Sequence, residues 1–461
     1  MQRILAIAWL TWKAAVRFRL FLVVLVLLLA AVVGLPLLIK DDGTARGFTQ
    51  ILLTYTLSTI AILLGLSTLW LACGTLARDI EECQMQVVAT KPIARWQIWI
   101  GKYLGILSLN AVLLALSGAC VYGLLLYRAG HLPEEQQQVL KNEVLVARGS
   151  AKEASFDREI EQDTERLLRE RLANSPVSQA DLAEVRRQIR EQLRAEFQVL
   201  QPGYARVWEI NLGLARHQLR DRPLFLRFKF NAASQSASGT FTSIFQIGVP
   251  QKTRLWQSDP LSLAPDTFHE MEIPPDLFDD TGLLTISALN PNETALLFPL
   301  EDGMEVLYRE GGFGLNYARG LGIIFCWMAL LAALGLAAAT FLSFPVASFF
   351  SLSLLSLVLF SGTMANAVEQ GTIAHYDAEH GRYGSSPVDI LVIPTFKGLL
   401  ALIGLVKGFS PVDALSTGRS ISWQDLGLAF FQIVIVLSGI LATIGIIIFH
   451  RRELATAQGT H

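Results

Sequence analysis

Apolar residues in this chain gather into long unbroken runs. Six stretches, approximately Leu20–Ile39, Ile51–Leu76, Tyr103–Tyr127, Gly320–Leu342, Val346–Val368 and Leu426–Phe449, contain no Asp, Glu, Lys, Arg or His. Each approaches or exceeds the roughly 20 residues that a helix needs to cross bilayer hydrocarbon. The pattern therefore predicts an α-helical polytopic membrane protein with six transmembrane helices. The segment Ile390–Phe409 is also apolar, but Pro394, Lys397 and Lys407 interrupt it. It reads as a re-entrant or interfacial element, placed at 388–410.

Elsewhere the periodicity changes. Residues 1–19 carry Ile4, Ile7, Ala8, Trp12 and Ala15 at helical spacing beside Arg3, Lys13 and Arg17, which predicts an amphipathic helix in the membrane interface. The first span is too long for the apolar core of a signal peptide, so a retained helix is expected. Spans one to three occupy 20–128 and spans four to six 317–449, and a short tail follows at 450–461. Between them, residues 129–316 form an insertion of domain size. Its first part, 129–203, is dense in Glu, Gln, Arg and Leu, and Leu182, Val185, Ile189 and Leu193 share a face, which predicts a helical hairpin or stalk. From 204 to 316 the period becomes two: Leu224, Leu226, Phe228 and Phe230 alternate with Phe225, Arg227 and Lys229, the signature of a β-sandwich strand. The insertion thus reads as α+β.

Basic residues orient the chain. Arg3, Lys13, Arg17 and Arg19 precede span one; Arg78, Lys91, Arg95 and Lys102 separate spans two and three; Arg451 and Arg452 follow span six. All three clusters fall on one side, so both termini are expected in the cytoplasm and the insertion outside it.

Composition sharpens this picture. Of 461 residues, 52% are hydrophobic and 17% charged, with mean hydropathy +0.42, whereas soluble domains carry about 25% charged residues. A net charge of −2 gives no footing for a nucleic-acid partner. The absence of ionisable residues from the spans argues against a proton-driven carrier. Cys73, Cys83, Cys120 and Cys326 lie outside the insertion and lack metal-ligand spacing, which makes them small buried hydrophobes.

The stretch "RDIEECQMQVVATKPIARWQIWIGKYLG", Arg78 to Gly105, parts the second and third spans with a polar helix over 78–91. Ile80, Cys83 and Val87 form its apolar stripe and Arg78, Glu81 and Glu82 face away. Pro92 ends it. Arg95 and Lys102, flanking Trp96 and Trp99, suit headgroup level. In order and placement, Glu81 or Glu82, Lys91-Pro92, Arg95 and Gly101-Lys102 resemble the cytoplasmic loop of type 2 ABC exporter permeases, the class that includes the permeases of copper-enzyme maturation and gliding-motility systems. Phe449, Arg451, Arg452 and Glu453 resemble that family's last step, and Gly408–Gly418 the segment before it. The large insertion departs from the family's short-loop pattern.

The resemblance implies a permease subunit in the bacterial inner membrane, paired with a second copy or a homologous permease. Separate cytoplasmic ABC ATPase subunits would grip the polar helix, with Arg78, Glu81, Glu82, Pro92 and Arg95 as the coupling residues, to drive export or extraction of a substrate. No G-x-x-x-x-G-K-[ST] loop is present, so ATP would act through the partner and no cofactor would bind directly. A mechanotransmitter acting on an envelope partner through the outer domain is the alternative within that class. A membrane scaffold or receptor without ATPase is the alternative outside it.

Other motifs favour plainer readings. His375, Asp377, Glu379 and His380 could ligate a metal, but the two histidines are five apart and a hydrated loop is preferred. Asn292-Glu293-Thr294 is a chance-level sequon. Trp208 and Trp256 could line a sugar or peptide site, though at strand spacing they read as core. Asn110 and Asn366 read as interhelical hydrogen-bonding residues. No catalytic set emerges, and the chain is expected not to be an enzyme.

Overall fold

The computed structural model describes residues 2–17, 20–38, 44–82, 84–85, 93–140, 144–174, 182–234, 239–370, 372–373, 376–377, 382–383 and 388–452. These divide into two compact units, one of residues 1–147 with 312–461 and one of residues 148–311.

The first unit is a helix bundle. Its helices are α1 (Gln2–Arg17), α2 (Leu20–Leu38), α3 (Ala45–Glu81) and α4 (Arg95–Ala129). After α5 (Asp157–Asn174) and α6 (Leu182–Gln198) of the second unit, it resumes with α7 (Phe313–Ala339), α8 (Phe344–Leu359), α9 (Ser361–Gln370), α10 (Asp389–Lys407), α11 (Pro411–Ser416) and α12 (Trp423–Arg451). Five of them are long and apolar enough to cross a membrane: α3, α4, α7, α10 and α12. α1 and α2 together make a sixth if they count as one bent span.

α7 is the hub. It packs against α3, α4, α8, α11 and α12, and Ala332, Ala333, Leu336 and Ala339 are fully buried. Its alanines and glycines allow close approach, the usual device where apolar burial alone cannot drive helices together in lipid. A Cβ on Gly335 would stand 2.7 Å from Ala72 Cβ of α3.

Several expectations change in the structure. Residues 78–81 do not begin a separate surface helix; they are the last turn of the 37-residue α3, with Glu82 as its C-cap. Nothing between Leu76 and Glu81 breaks a helix, so the span continues into its polar end. The remainder of the expected 78–91 helix, apart from Gln84 and Met85, and Pro92 lie outside the described residues. Val346–Val368 is not one rod: it divides at Phe360, ahead of Ser361 and Gly362, which are weak helix formers. Ile390–Phe409, expected to be interrupted, forms most of a 19-residue helix despite Pro394 in its second turn. α1 keeps its amphipathic stripe, Ile7, Thr11 and Ala15 being buried, and lays it on α4.

The second unit is a β-sandwich with a helical hairpin. One sheet has the order β1 (Val146–Lys152), β12 (Met304–Gly312), β4 (Leu224–Lys229), β9 (Phe268–Ile273). The other runs β3 (Ala205–Asn211), β10 (Leu283–Leu289), β6 (Phe241–Ile247), β7 (Trp256–Gln257), with β8 (Leu261–Leu263) also on β6. Three two-residue strands, β2 (Val199–Leu200), β5 (Asn231–Ala232) and β11 (Leu296–Leu297), make a small third sheet. The inner faces meet at Phe228 and Phe245, whose ring centroids are 4.5 Å apart. The alternation at 224–230 is real: Leu224, Leu226, Phe228 and Phe230 are all buried.

The other face of the first sheet carries a row of alternating charge, Glu305, Arg227 and Glu270, set side by side by strand register. Arg148 Nη1 reaches Glu270 at 2.6 Å and Ser150 donates to Glu305 at 2.8 Å. The four charges cancel, with Glu305 and Arg148 buried and Arg227 and Glu270 half-buried. β1 lies inside the stretch expected to be a helical stalk. Its sequence, VARGSAK, has little strand propensity of its own, and its place is set by pairing with β12. The hairpin itself is α5 against α6, zipped by Glu161 with Arg186 (2.5 Å) and Arg190 (2.7 Å).

Candidate functional site

The polar end of α3 is where the bundle's helices are tied together. Thr75 and Asp79 lie one turn apart, so both face the same neighbour. That neighbour is Lys102 on α4, whose Nζ donates to Thr75 O and to Asp79 Oδ2, each at 2.6 Å. Lys102 is buried and cannot stand uncompensated.

Arg78 and Glu81, three apart, turn instead to the start of α8. The Arg78 guanidinium sits 4.3 Å from the centroid of the Phe344 ring, and Glu81 Oε1 accepts from Phe344 N at 2.8 Å. The α8 N-cap, Ser343, makes no side-chain cap bond, so Glu81 supplies an acceptor and a negative charge to an otherwise open helix N-terminus.

Arg95, the first residue of α4, serves the opposite kind of end. Its Nη1 is 2.8 Å from Phe449 O, 2.8 Å from His450 O and 2.7 Å from Arg452 O, the carbonyls that the C-terminus of α12 leaves open. Arg452 Nη1 in turn donates to Thr340 O, 2.7 Å, at the end of α7. One polar layer therefore joins α3, α4, α7, α8 and α12.

Of the five expected coupling residues, the layer unites Arg78, Glu81 and Arg95. Glu82 stands apart: it is exposed, and its Oε2 accepts from Gln84 at 2.7 Å. Pro92 lies outside the described residues. The sequence reading missed Asp79, Thr340 and Phe344. Asp79 sits in plain view one residue after Arg78, but its partner is 23 positions away and only the α3–α4 packing brings them together.

The remaining candidates resolve as follows. Trp208 is buried against Phe298, ring centroids 5.1 Å apart, and Trp256 packs on the same core. Asn292 spends its amide on Thr242 and Asn290, accepting from Thr242 N and donating to Thr242 O and Asn290 Oδ1. Asn110 is buried, yet its Nδ2 lacks the interhelical bond expected of it. Cys73 and Cys326 are buried and free, and Cys120 is free and half-buried. His375, Glu379, His380 and the side chains of Asp377 and Asn366 lie outside the described residues; among the described residues no group of three or more His, Cys, Asp or Glu could hold a metal.

Comparison with models of known families, with curated proteins and with solved structures finds no match to this chain.

Proposed function

We propose that the chain is the membrane-spanning, permease-like subunit of an ATP-driven machine in a bacterial inner membrane, working as a dimer with separate cytoplasmic ABC ATPase subunits. The observation that carries this reading is the polar layer at the end of α3. A push on the segment after Glu81 reaches α8 through Glu81 and Phe344, α4 through Asp79 and Lys102, and from α4 passes to α12 through Arg95. Within the layer, Arg78, Glu81 and Arg95 transmit force between helices, and exposed Glu82 is the residue offered to a partner. ATP hydrolysis belongs to that partner.

The spacing of the layer supports a membrane crossing, and the basic residues at this end, Arg78, Arg95, Lys102 and Arg452, favour the cytoplasmic side for it. Asn316 and Arg319 near the start of α7 bond to the 419–421 segment, while Thr340 at its end belongs to the polar layer. At 1.5 Å per residue Arg319 and Thr340 are roughly 30 Å apart, one hydrocarbon thickness. Residues 148–311 have a core of their own, and the second reading is that this domain engages an envelope partner, so that the helices would act mechanically on it as well as, or in place of, moving a substrate.

The test is co-purification from mild detergent. An ATPase subunit is expected to accompany the wild-type chain, and Glu82→Lys should release it while leaving the bundle folded. Retention of the same ATPase by Glu82→Lys removes Glu82 from the contact, and recovery of the chain without any ATPase sinks the reading.

A further inference from the structure

We propose that Arg319 and Trp423 form a binding site for a phosphate group, the headgroup phosphate of a phospholipid. Arg319 is half-buried on α7 and held in place, its Nη1 donating to Ile421 O at 2.7 Å and its guanidinium 4.7 Å from the centroid of the Trp423 ring. No carboxylate lies within ion-pairing distance of it among the described residues. The acids nearest in sequence are committed elsewhere: Asp413 accepts from Ser410 Oγ, and Asp425 closes the capping box of α12 by accepting from Ser422 N at 2.9 Å and Ser422 Oγ at 2.8 Å.

A guanidinium has five N–H donors. Here one is spent on a neutral carbonyl and Nε is enclosed, which leaves the remaining terminal N–H groups to meet a ligand. A half-buried guanidinium with terminal donors to spare and no carboxylate partner among the described residues calls for an anion with several acceptor oxygens. The site is built before any ligand arrives. Asn316, fully buried, donates to Arg419 O at 2.8 Å and accepts from Ile421 N at 2.7 Å, which pins the 419–421 backbone against α7.

Two features select a phospholipid over a soluble phosphate. Trp423 is 62% exposed at the start of an apolar helix, the place such a ring takes at headgroup level. Exposed apolar side chains continue from the site along α12, at Leu428 and Phe431, while Leu426 fills the space beside Gly322 and brings the two helices together. A phosphate at Arg319 would carry its acyl chains onto that surface. The inference requires only that these helices meet lipid, and it stands or falls separately from the ATPase contact.

The experiment uses the full chain, purified in mild detergent and delipidated, with bound lipid counted by native mass spectrometry. Phosphatidylglycerol should bind and diacylglycerol of the same chain length should not. Arg319→Gln should weaken phosphatidylglycerol by roughly tenfold or more, the scale of one lost charge-assisted bond, and Arg319→Lys by less. If the Gln variant does not fold, Trp423→Leu, which leaves the Arg319–Ile421 bond in place, should still lower the affinity severalfold. Equal binding of diacylglycerol, or unchanged affinity in the variants that fold, overturns the site. Displacement of the lipid by millimolar sodium phosphate overturns the lipid assignment in favour of a soluble phosphate.

Discussion

Lys102 Nζ lies 2.6 Å from Asp79 Oδ2, a pair that joins α4 to the end of α3 with the lysine side chain 9% and the aspartate 34% exposed. The asymmetry decides what each loss does. Asp79→Asn leaves a buried ammonium with neutral acceptors and no counter-charge, whereas Lys102→Met leaves a carboxylate that can still find water. Asp79→Asn should therefore cost more, about 1–3 kcal/mol, and the double variant should cost less than the sum of the two. Thermal unfolding in detergent of all four chains checks this; additive effects would mean that the pair does no coupling.

Arg95 gathers three carbonyls at the end of α12, and the ring of Phe449 lies 5.9 Å from its guanidinium. Arg95→Ala should fray the last turn of α12 and free Arg452 from Thr340. The expected signature is local: faster hydrogen exchange over 446–452 with little change in α3, at a cost of roughly 2–3 kcal/mol to that end. Arg95→Lys should recover part of it, because one ammonium cannot match the reach of a guanidinium.

The seat of α1 on α4 depends on Gly105, where a Cβ would stand 2.8 Å from Thr11 Cβ and 2.9 Å from Ala8 O. Backbone on one side leaves little room to yield. Gly105→Val should lift α1 at a cost of about 1–3 kcal/mol. Trp12 Nε1 donates to Ser108 Oγ at 2.7 Å across the same contact. Hydrogen exchange over α1 should thus be slow in the parent chain and faster with Val at 105.

How much of this was legible depended on the range of the physics involved. The apolar runs disclosed α3, α4, α7 and α12, because burial in hydrocarbon is a property of composition over 20 residues. The period-two stretch at 224–230 disclosed β4 for the same local reason. β1 stayed hidden because VARGSAK owes its strand to β12, more than 150 residues away. At the polar layer, the sequence exposed Arg78, Glu81 and Arg95 as charges between spans, and it could not say that Glu81 would cap α8 or that Arg95 would cap α12. Those roles belong to helix ends that only packing brings within reach. The division of α8 from α9 at Phe360 was written in Ser361 and Gly362, but the run of apolar letters outweighed it.

Asp279 gives the second unit a pH dependence of definite sign. Its Oδ1 accepts from Thr281 Oγ1, from Leu283 N at 2.9 Å and from Thr281 N at 2.9 Å, while Oδ2 faces Lys252 Nζ at 3.1 Å. The hydroxyl of Thr281 and the amide of Leu283, then Lys252, hold its carboxyl well below the usual carboxylate range. A carboxylate depressed in the folded state contributes stability that is complete above the unfolded value, about 3.9, and is lost as the pH falls through the folded one. Asp279→Asn removes the charge and turns one acceptor into a donor, so the 279–283 turn should loosen at neutral pH. The gap between parent and variant should narrow in acid. Urea titration of the full chain in detergent, with unfolding of residues 148–311 followed by hydrogen exchange at pH 7 and again near pH 3, reads both limbs. A gap of the same size at both pH values would show that the turn is held by shape alone and that the carboxylate charge adds nothing.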